Sequence, residues 1–274
     1  MGFIEKMLPK IPFFRHRAST NNNVSEAKMI ANGWDQYARE WKPEKFPVMS
    51  GSNVEYLGDE WTAEDVSDGG TTYGLSPEII ANFDKYLTDH LLNPYVPSAS
   101  EGLEIGPGGG RLTRLLAPRT KLLHLADSSA AMLSHLKKRF GGVANLRYHH
   151  TNGVKLPELQ PASLDYVIAF DVFVHFEPRL LFGYLQQIEK VLKPGGTGII
   201  HYSNVMTPIG WQQFERDLEP NLESRTWFAT LGVMCPQLMD RFVKSLKLEA
   251  ISSDIGIIPR DAVAVFRKSM QSGI

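Results

Sequence analysis

From residue 100 onward, short apolar runs alternate with segments of helical spacing. Residues near 101–105, 121–126, 145–149, 164–169 and 197–203 read as strands, and residues near 110–117, 129–140 and 178–192 read as helices. Regular strand–helix alternation predicts a parallel sheet with right-handed crossovers. After the fifth strand the pattern gives a helix over Pro236–Ser245 and two more strands, Leu248–Ser252 and Ala262–Phe266. The link between that last pair is short, so they are expected to form an antiparallel hairpin at the sheet edge. Residues 21–95 and 205–235 are rich in aromatics and lack this alternation; within them Ser25–Trp41 has helical spacing.

The punctuation between these elements carries chemistry. Leu103-Glu104-Ile105-Gly106-Pro107-Gly108-Gly109-Gly110-Arg111 runs from the first strand into the first helix. Glycine admits positive φ and lets a ligand approach without meeting a Cβ, and helix N–H groups face such a turn. The dinucleotide fingerprint G-x-G-x-x-G, counted from Gly106, requires glycine at 111, where this chain has arginine. At the end of the second strand Asp127 follows Glu104 by 23 positions. A carboxylate there accepts two hydrogen bonds at once, which suits the vicinal diol of a ribose. Ser128 or Ser129 serves as N-cap for the next helix.

The spacing E-x-G-x-G-x-G, the run Asp127-Ser128-Ser129-Ala130-Ala131-Met132-Leu133, the Leu164–Phe170 strand with its Asp171–Phe176 exit, and Val191-Leu192-Lys193-Pro194-Gly195-Gly196 before a strand occur here in order. Together they resemble the motifs of class I S-adenosylmethionine-dependent methyltransferases over about residues 100–205. The resemblance implies a doubly wound α/β fold, a mostly parallel seven-stranded Rossmann-like sheet with one reversed strand. It implies S-adenosyl-L-methionine as cofactor, held by Glu104, Gly106, Pro107, Gly108, Gly110, Asp127, Ser128, Met132, Asn152, Gly153, Phe170, Asp171 and Val172. In the family an aspartate commonly stands where Asn152 is. The asparagine carbonyl still accepts a hydrogen bond, but Asn-Gly is equally a plain turn dipeptide. Trp34 and Tyr37, with Arg39, would cover the methionine end, or else simply pack a lid onto the sheet.

Domain boundaries follow: a basic and aromatic extension over 1–20, a helical lid region over 21–95, and the methyltransferase domain over 96–274 with an acceptor-pocket insertion at 205–235. For a general base the candidates are His175, in the loop leaving the fourth strand, and then His201 on the fifth. A histidine near its unperturbed pKa takes a proton at neutral pH, though one beside a cofactor can equally serve only to hydrogen-bond and pack. Asp171 and His175 are two ligands in one loop, too few for a metal site. The pair Arg260-Asp261 reads either as a surface ion pair or as a clamp at the sheet edge.

Composition narrows the partners. A net charge of -1 offers no broad basic field for nucleic acid. The single cysteine, Cys235, forms no internal disulfide and suits a reducing, cytoplasmic setting. No apolar run is long enough to span a bilayer, and Pro9, Lys10 and Pro12 interrupt any signal-peptide core. Basic and aromatic residues share positions 1–20, giving at most a weak contact with an anionic membrane surface. The expected activity is methyl transfer to a small molecule, first to a hydroxyl oxygen of a sugar or secondary metabolite and next to an amine. A nicotinamide-dependent oxidoreductase and a catalytically silent binder are the readings from other classes. Oligomeric state is not written in the sequence.

Overall fold

The computed structural model describes residues 25–43, 54–60, 73–224 and 230–270. The expected extension over 1–20 lies outside them. Seven strands form one sheet in the order β3-β2-β1-β4-β5-β7-β6, comprising β1 (Ser100–Ile105), β2 (Thr120–Asp127), β3 (Leu146–His150), β4 (Leu164–Phe173), β5 (Leu192–Ser203), β6 (Leu248–Ser252) and β7 (Asp261–Lys268). β7 runs antiparallel to both its neighbours, and every other pairing is parallel. This is the mostly parallel Rossmann-like sheet with one reversed strand.

Apolar side chains fill both faces, so the molecule is three layers thick. One face buries Leu103, Ile105, Val167 and Ala169 under α6 (Pro178–Val191) and α8 (Pro236–Lys244). The other buries Leu123, Leu125, Ile168 and Ile199 under α4 (Thr113–Leu116) and a broken helical run, α2 (Pro77–Ala81), α3 (Phe83–Leu87) and a π-helical turn Thr88–Leu92. Residues 77–95, within the expected lid region 21–95, thus form part of a layer packed on the sheet. Ahead of this layer, α1 (Glu26–Glu40) packs against α5 (Ala130–Phe140). One difference is α7 (Pro208–Ser224), inside the stretch that showed no periodic pattern. Trp211 and Leu218 on it are 49% and 50% exposed, so its sequence lacks the buried stripe that marks an amphipathic helix.

Chain order makes the position of the site. β1, β2 and β3 are laid down in one direction across the sheet, and β4 and β5 return on the other side of β1. In-register pairing ends together at Ile105↔Ala126 and Ile105↔Ala169, which opens a crevice beyond the carboxyl ends of β1 and β4. Such a switch point is where open α/β sheets bind ligands.

Close packing beneath that edge is testable at Gly102. A Cβ there would lie 2.1 Å from the ring of Tyr166, whose hydroxyl is itself fixed by Thr120 at 2.7 Å. Gly102→Ala is expected to lower unfolding free energy by about 2 kcal/mol in chemical denaturation, the usual cost of overpacking; a change near zero would show that the ring moves aside.

Candidate active site

The turn after β1 is shaped by what lies against it. Gly106 has φ +63°, and a Cβ on it would sit 2.3 Å from Val172 Cγ2 at the exit of β4. At Gly109 a Cβ would fall 1.6 Å from the carbonyl oxygen of Leu57. The glycines thus do two jobs: they make the turn, and they let a covering segment rest directly on it. The Gly106 N–H donates to Ala126 O at 2.8 Å and the Gly110 N–H to Pro107 O at 2.9 Å, which closes the turn against β2.

Two carboxylates stand beside the turn. Glu104 is buried and accepts from Thr113 Oγ1 at 2.7 Å; burial, helped by the charge of Asp127, pushes its pKa up to about 8. Asp127 is pushed up to about 6 by burial, against the hydrogen bonds it receives. The Ser129 N–H donates to its Oδ1 at 2.8 Å and the Gly108 N–H to its Oδ2 at 3.3 Å. One N–H on each oxygen leaves each with further acceptor capacity. Ser129, not Ser128, caps α5, its Oγ accepting from Met132 N at 3.0 Å. Met132 is buried with Leu57 and Ala38, while the Ser128 carbonyl accepts from His150 Nε2 at 3.1 Å.

Helix α1 lies across this edge and is fastened by carboxylates. Glu26 Oε1 accepts from Glu177 N at 2.8 Å, at the start of α6. Asp35 Oδ1 accepts from Ser129 Oγ and from Ala131 N, both at 2.9 Å, at the start of α5. Burial would raise the pKa of Asp35, but these bonds and Arg39 outweigh it and hold it low. Arg39 pairs with Asp35 at 2.6 Å and points mainly to solvent, which differs from a place over the methionine end. The Tyr37 hydroxyl donates to Glu60 at 2.7 Å, and Trp34 lies 5.4 Å from the His175 ring. Beyond β3, the Asn152 amide oxygen accepts from the N–H groups of Val154 and Lys155 at 3.0 and 2.9 Å. Both its lone pairs are taken by a local turn, so the geometry favours the turn reading over an adenine contact. Gly153, at φ +75°, leaves room for the carbonyl of Ala27.

At the exit of β4 the sequence reading missed most of the partners. Asp171 is held in the left-handed region at φ +58°. Its carboxylate receives the Tyr73 hydroxyl and the Arg111 guanidinium. His201 Nδ1 lies 3.1 Å both from the Asp171 N–H, which donates to it, and from Asp171 Oδ1. The other ring nitrogen reaches Asp261 Oδ2 at 3.0 Å, and Arg260 grips Asp261 at 2.6 Å. Burial opposes ionisation of Asp171, but Arg111, His201 and Tyr73 outweigh it and hold its pKa far below the usual carboxylate range. Burial also opposes charging of His201, and the two aspartates overcome it and raise its pKa. His201 is fully buried between them with Phe170 stacked at 4.4 Å, a geometry that suits it to holding Asp171 in place rather than to taking a proton from an acceptor. The pair Arg260-Asp261 is a buried clamp and not a surface pair. Arg111, the residue that breaks the dinucleotide pattern, is the ion partner of Asp171.

His175 differs from His201. It is half-buried, and its Nδ1 lies 2.9 Å from the Thr230 carbonyl oxygen. A carbonyl only accepts, so Nδ1 carries the proton and Nε2 keeps its lone pair. Burial lowers its pKa, against the Thr230 bond and the charge of Asp171, which favours the neutral ring. Among the described residues no cluster of three or more histidine, cysteine or acidic side chains is arranged to hold a metal ion.

Residues 103–196 match the family model described as a methyltransferase domain. The PH0226 protein of Pyrococcus horikoshii superposes with TM-score 0.55 at 20% identity, over 73% of this chain and 94% of that one. The geranyl diphosphate C-methyltransferase of Streptomyces coelicolor, solved with Mg2+, geranyl diphosphate and S-adenosyl-L-homocysteine, gives 0.56 at 13% identity over 89% and 100%. Phosphoethanolamine N-methyltransferase 1 of Haemonchus contortus, solved with phosphoethanolamine and S-adenosylhomocysteine, gives 0.59 at 12% identity over 91% of this chain and 50% of that one. At such identities the likeness is one of fold. Among curated protein sequences nothing matches.

The contact between Leu57 and the glycine turn has its own test. Gly109→Ala is expected to speed amide exchange across 54–60 by about tenfold or more, because the 1–3 kcal/mol cost of overpacking falls on that contact. Exchange unchanged from the parent chain would show that the segment does not rest on the turn.

Proposed function

We propose that this chain, which carries a methyltransferase domain of the class I S-adenosylmethionine-dependent type, moves a methyl group to a small-molecule acceptor, and that the accepting atom is a hydroxyl oxygen. The observation that carries the cofactor half is the side-chain-free turn with Asp127 one strand over, each carboxylate oxygen holding one N–H and able to accept another bond. An adenosyl ligand fits that arrangement: the ribose diol meets Asp127, and the glycine turn admits the methionyl chain. Phe170, Asp171 and Val172 close its far side, and Trp34 covers it from α1. When bound, S-adenosylmethionine supplies an already activated methyl electrophile. The protein then has to align the acceptor and take up one proton.

For the proton we assign His175. Its locked tautomer and neutral ring give a lone pair at Nε2, beside Trp34 and next to the exit of β4. A hydroxyl acceptor, on a sugar or another secondary metabolite, needs such a base. Methylation of a small amine is the second reading, favoured by the ionised Asp171, whose side chain keeps 21% of its surface accessible and would attract a cation. Among the described residues no helix is long and apolar enough to cross a membrane. With its one cysteine, free in the structure, we place the protein in the cytoplasm.

Two substitutions and one assay test this. Asp127→Ala is expected to weaken S-adenosylhomocysteine binding by about 100-fold in titration calorimetry, as hydrogen bonds to a charged group are lost. His175→Ala should cut turnover by about 100-fold or more with homocysteine-product affinity kept; turnover held at the parent level points to the amine. Incubation with methyl-labelled cofactor and a metabolite extract, read by mass spectrometry, identifies the acceptor. Thermal stabilisation by NAD and none by S-adenosylhomocysteine would sink the reading, and cofactor binding with no labelled product would leave a silent binder.

A further inference from the structure

Glu60 is a buried carboxylate that none of the chemistry above uses. It has no exposed surface and lies at the end of the segment 54–60. Three donors converge on it: Tyr37 Oη of α1 at 2.7 Å, Nε1 of Trp41, which follows α1, at 3.1 Å, and the Gly58 N–H at 2.7 Å. The same segment rests its Leu57 carbonyl on the glycine turn. Its Asp59 pairs with Arg139 of α5 at 3.1 Å, and the Arg139 guanidinium also donates to the Gly109 carbonyl at 3.0 Å. One carboxylate therefore joins α1, the covering segment and, through them, the turn that holds the ligand.

We propose that Glu60 is a positioning residue for cofactor retention, holding α1 and the 54–60 segment closed over the adenosyl ligand. The proposal rests on the cofactor reading above. Besides Trp41 and the Gly58 N–H, these groups among the described residues bear on the charge of Glu60. Tyr37 from α1 donates to it, and Asp59 on its own turn repels its charge, while Arg139 of α5 is committed to Asp59 and Gly109. Burial is the largest influence, and it moves the pKa up to about 7 against the hydrogen bonds from Tyr37 and Gly58.

The sign follows from linkage. A carboxylate exposed by opening has its ordinary pKa near 4.5, and the closed form binds the proton more tightly. Closure is therefore most favourable below that ordinary value and weakens as pH rises through about 7. For these two values the closing equilibrium falls about tenfold between pH 6 and pH 8. This is opposite to what a simple ion-pair latch would do.

Two measurements separate this from the cofactor reading. In the ligand-free protein, amide protection of α1 and of Gly58, corrected for intrinsic exchange, should fall about tenfold from pH 6 to pH 8. With S-adenosylhomocysteine bound, its dissociation rate should rise over the same interval. Glu60→Gln, permanently neutral, should abolish the slope in amide protection, while dissociation stays measurable and keeps only the smaller pH dependence that Asp127 contributes. Should Glu60→Gln fold poorly, Tyr37→Phe removes one donor and should raise the dissociation rate with the pH dependence kept. A parent protein flat in both measurements, or a Glu60→Gln protein that keeps the slope, overturns the proposal. If the ligand fails to bind, the cofactor reading falls, and the exchange measurement alone still decides the role of Glu60.

Discussion

Every helix that follows a parallel strand begins at the same edge of the sheet, with N–H groups that have no partner inside the helix. The site is built on answering those groups with carboxylates. Asp127 takes the Ser129 N–H, Asp35 takes that of Ala131, and Glu26 takes that of Glu177. Charge at a helix N-terminus is stabilising; at Asp35 these bonds outweigh the cost of burial, whereas at Asp127 burial prevails. The same preference that suits this edge to an anionic or polar ligand holds α1 across it. Because α5 follows β2 and α6 follows β4, α1 bridges the two halves of the sheet over the crevice between them.

Behind the crevice runs a second polar chain. Arg111, Asp171, His201, Asp261 and Arg260 are in sequential contact, and Tyr73 braces Asp171. Ion pairs in the interior are poor sources of stability, because desolvation cancels much of their attraction. Their value here is geometric. They hold a non-glycine residue in a left-handed conformation at the mouth of the site, a strain of order 1–3 kcal/mol that only a well-determined surround sustains. Breaking any one link would leave a buried charge without its partner, which is more costly than the link itself is stabilising.

Local pattern made most of the sheet legible. Strands β1, β2, β4 and β5 contain apolar runs, and glycine follows β1 and precedes the apolar run of β5, so their place in the order could be read directly. The glycine turn and Asp127 were legible because backbone geometry and ligand shape dictate residue type at fixed spacing. What escaped was pairing at long range. Tyr73 meets Asp171 across 98 positions and Asp35 meets Ser129 across 94, and no periodicity reports such contacts. Nothing in the sequence around Glu60 signals the two aromatic donors that the structure brings to it. Helix α7 escaped for another reason, since an element with half-exposed Trp211 and Leu218 writes no buried face into its sequence.

The reversed direction of β7 has a consequence for how the protein is made. Running opposite to its neighbours, this strand starts at the edge where the others finish, and so brings Asp261 up against His201. The recess consequently draws on the chain from residue 35 to residue 261. Residue 261 must thus be synthesised before His201 meets its second aspartate. A nascent polypeptide halted after β5 would hold the glycine bend and Asp127 but present a recess whose rear wall is missing.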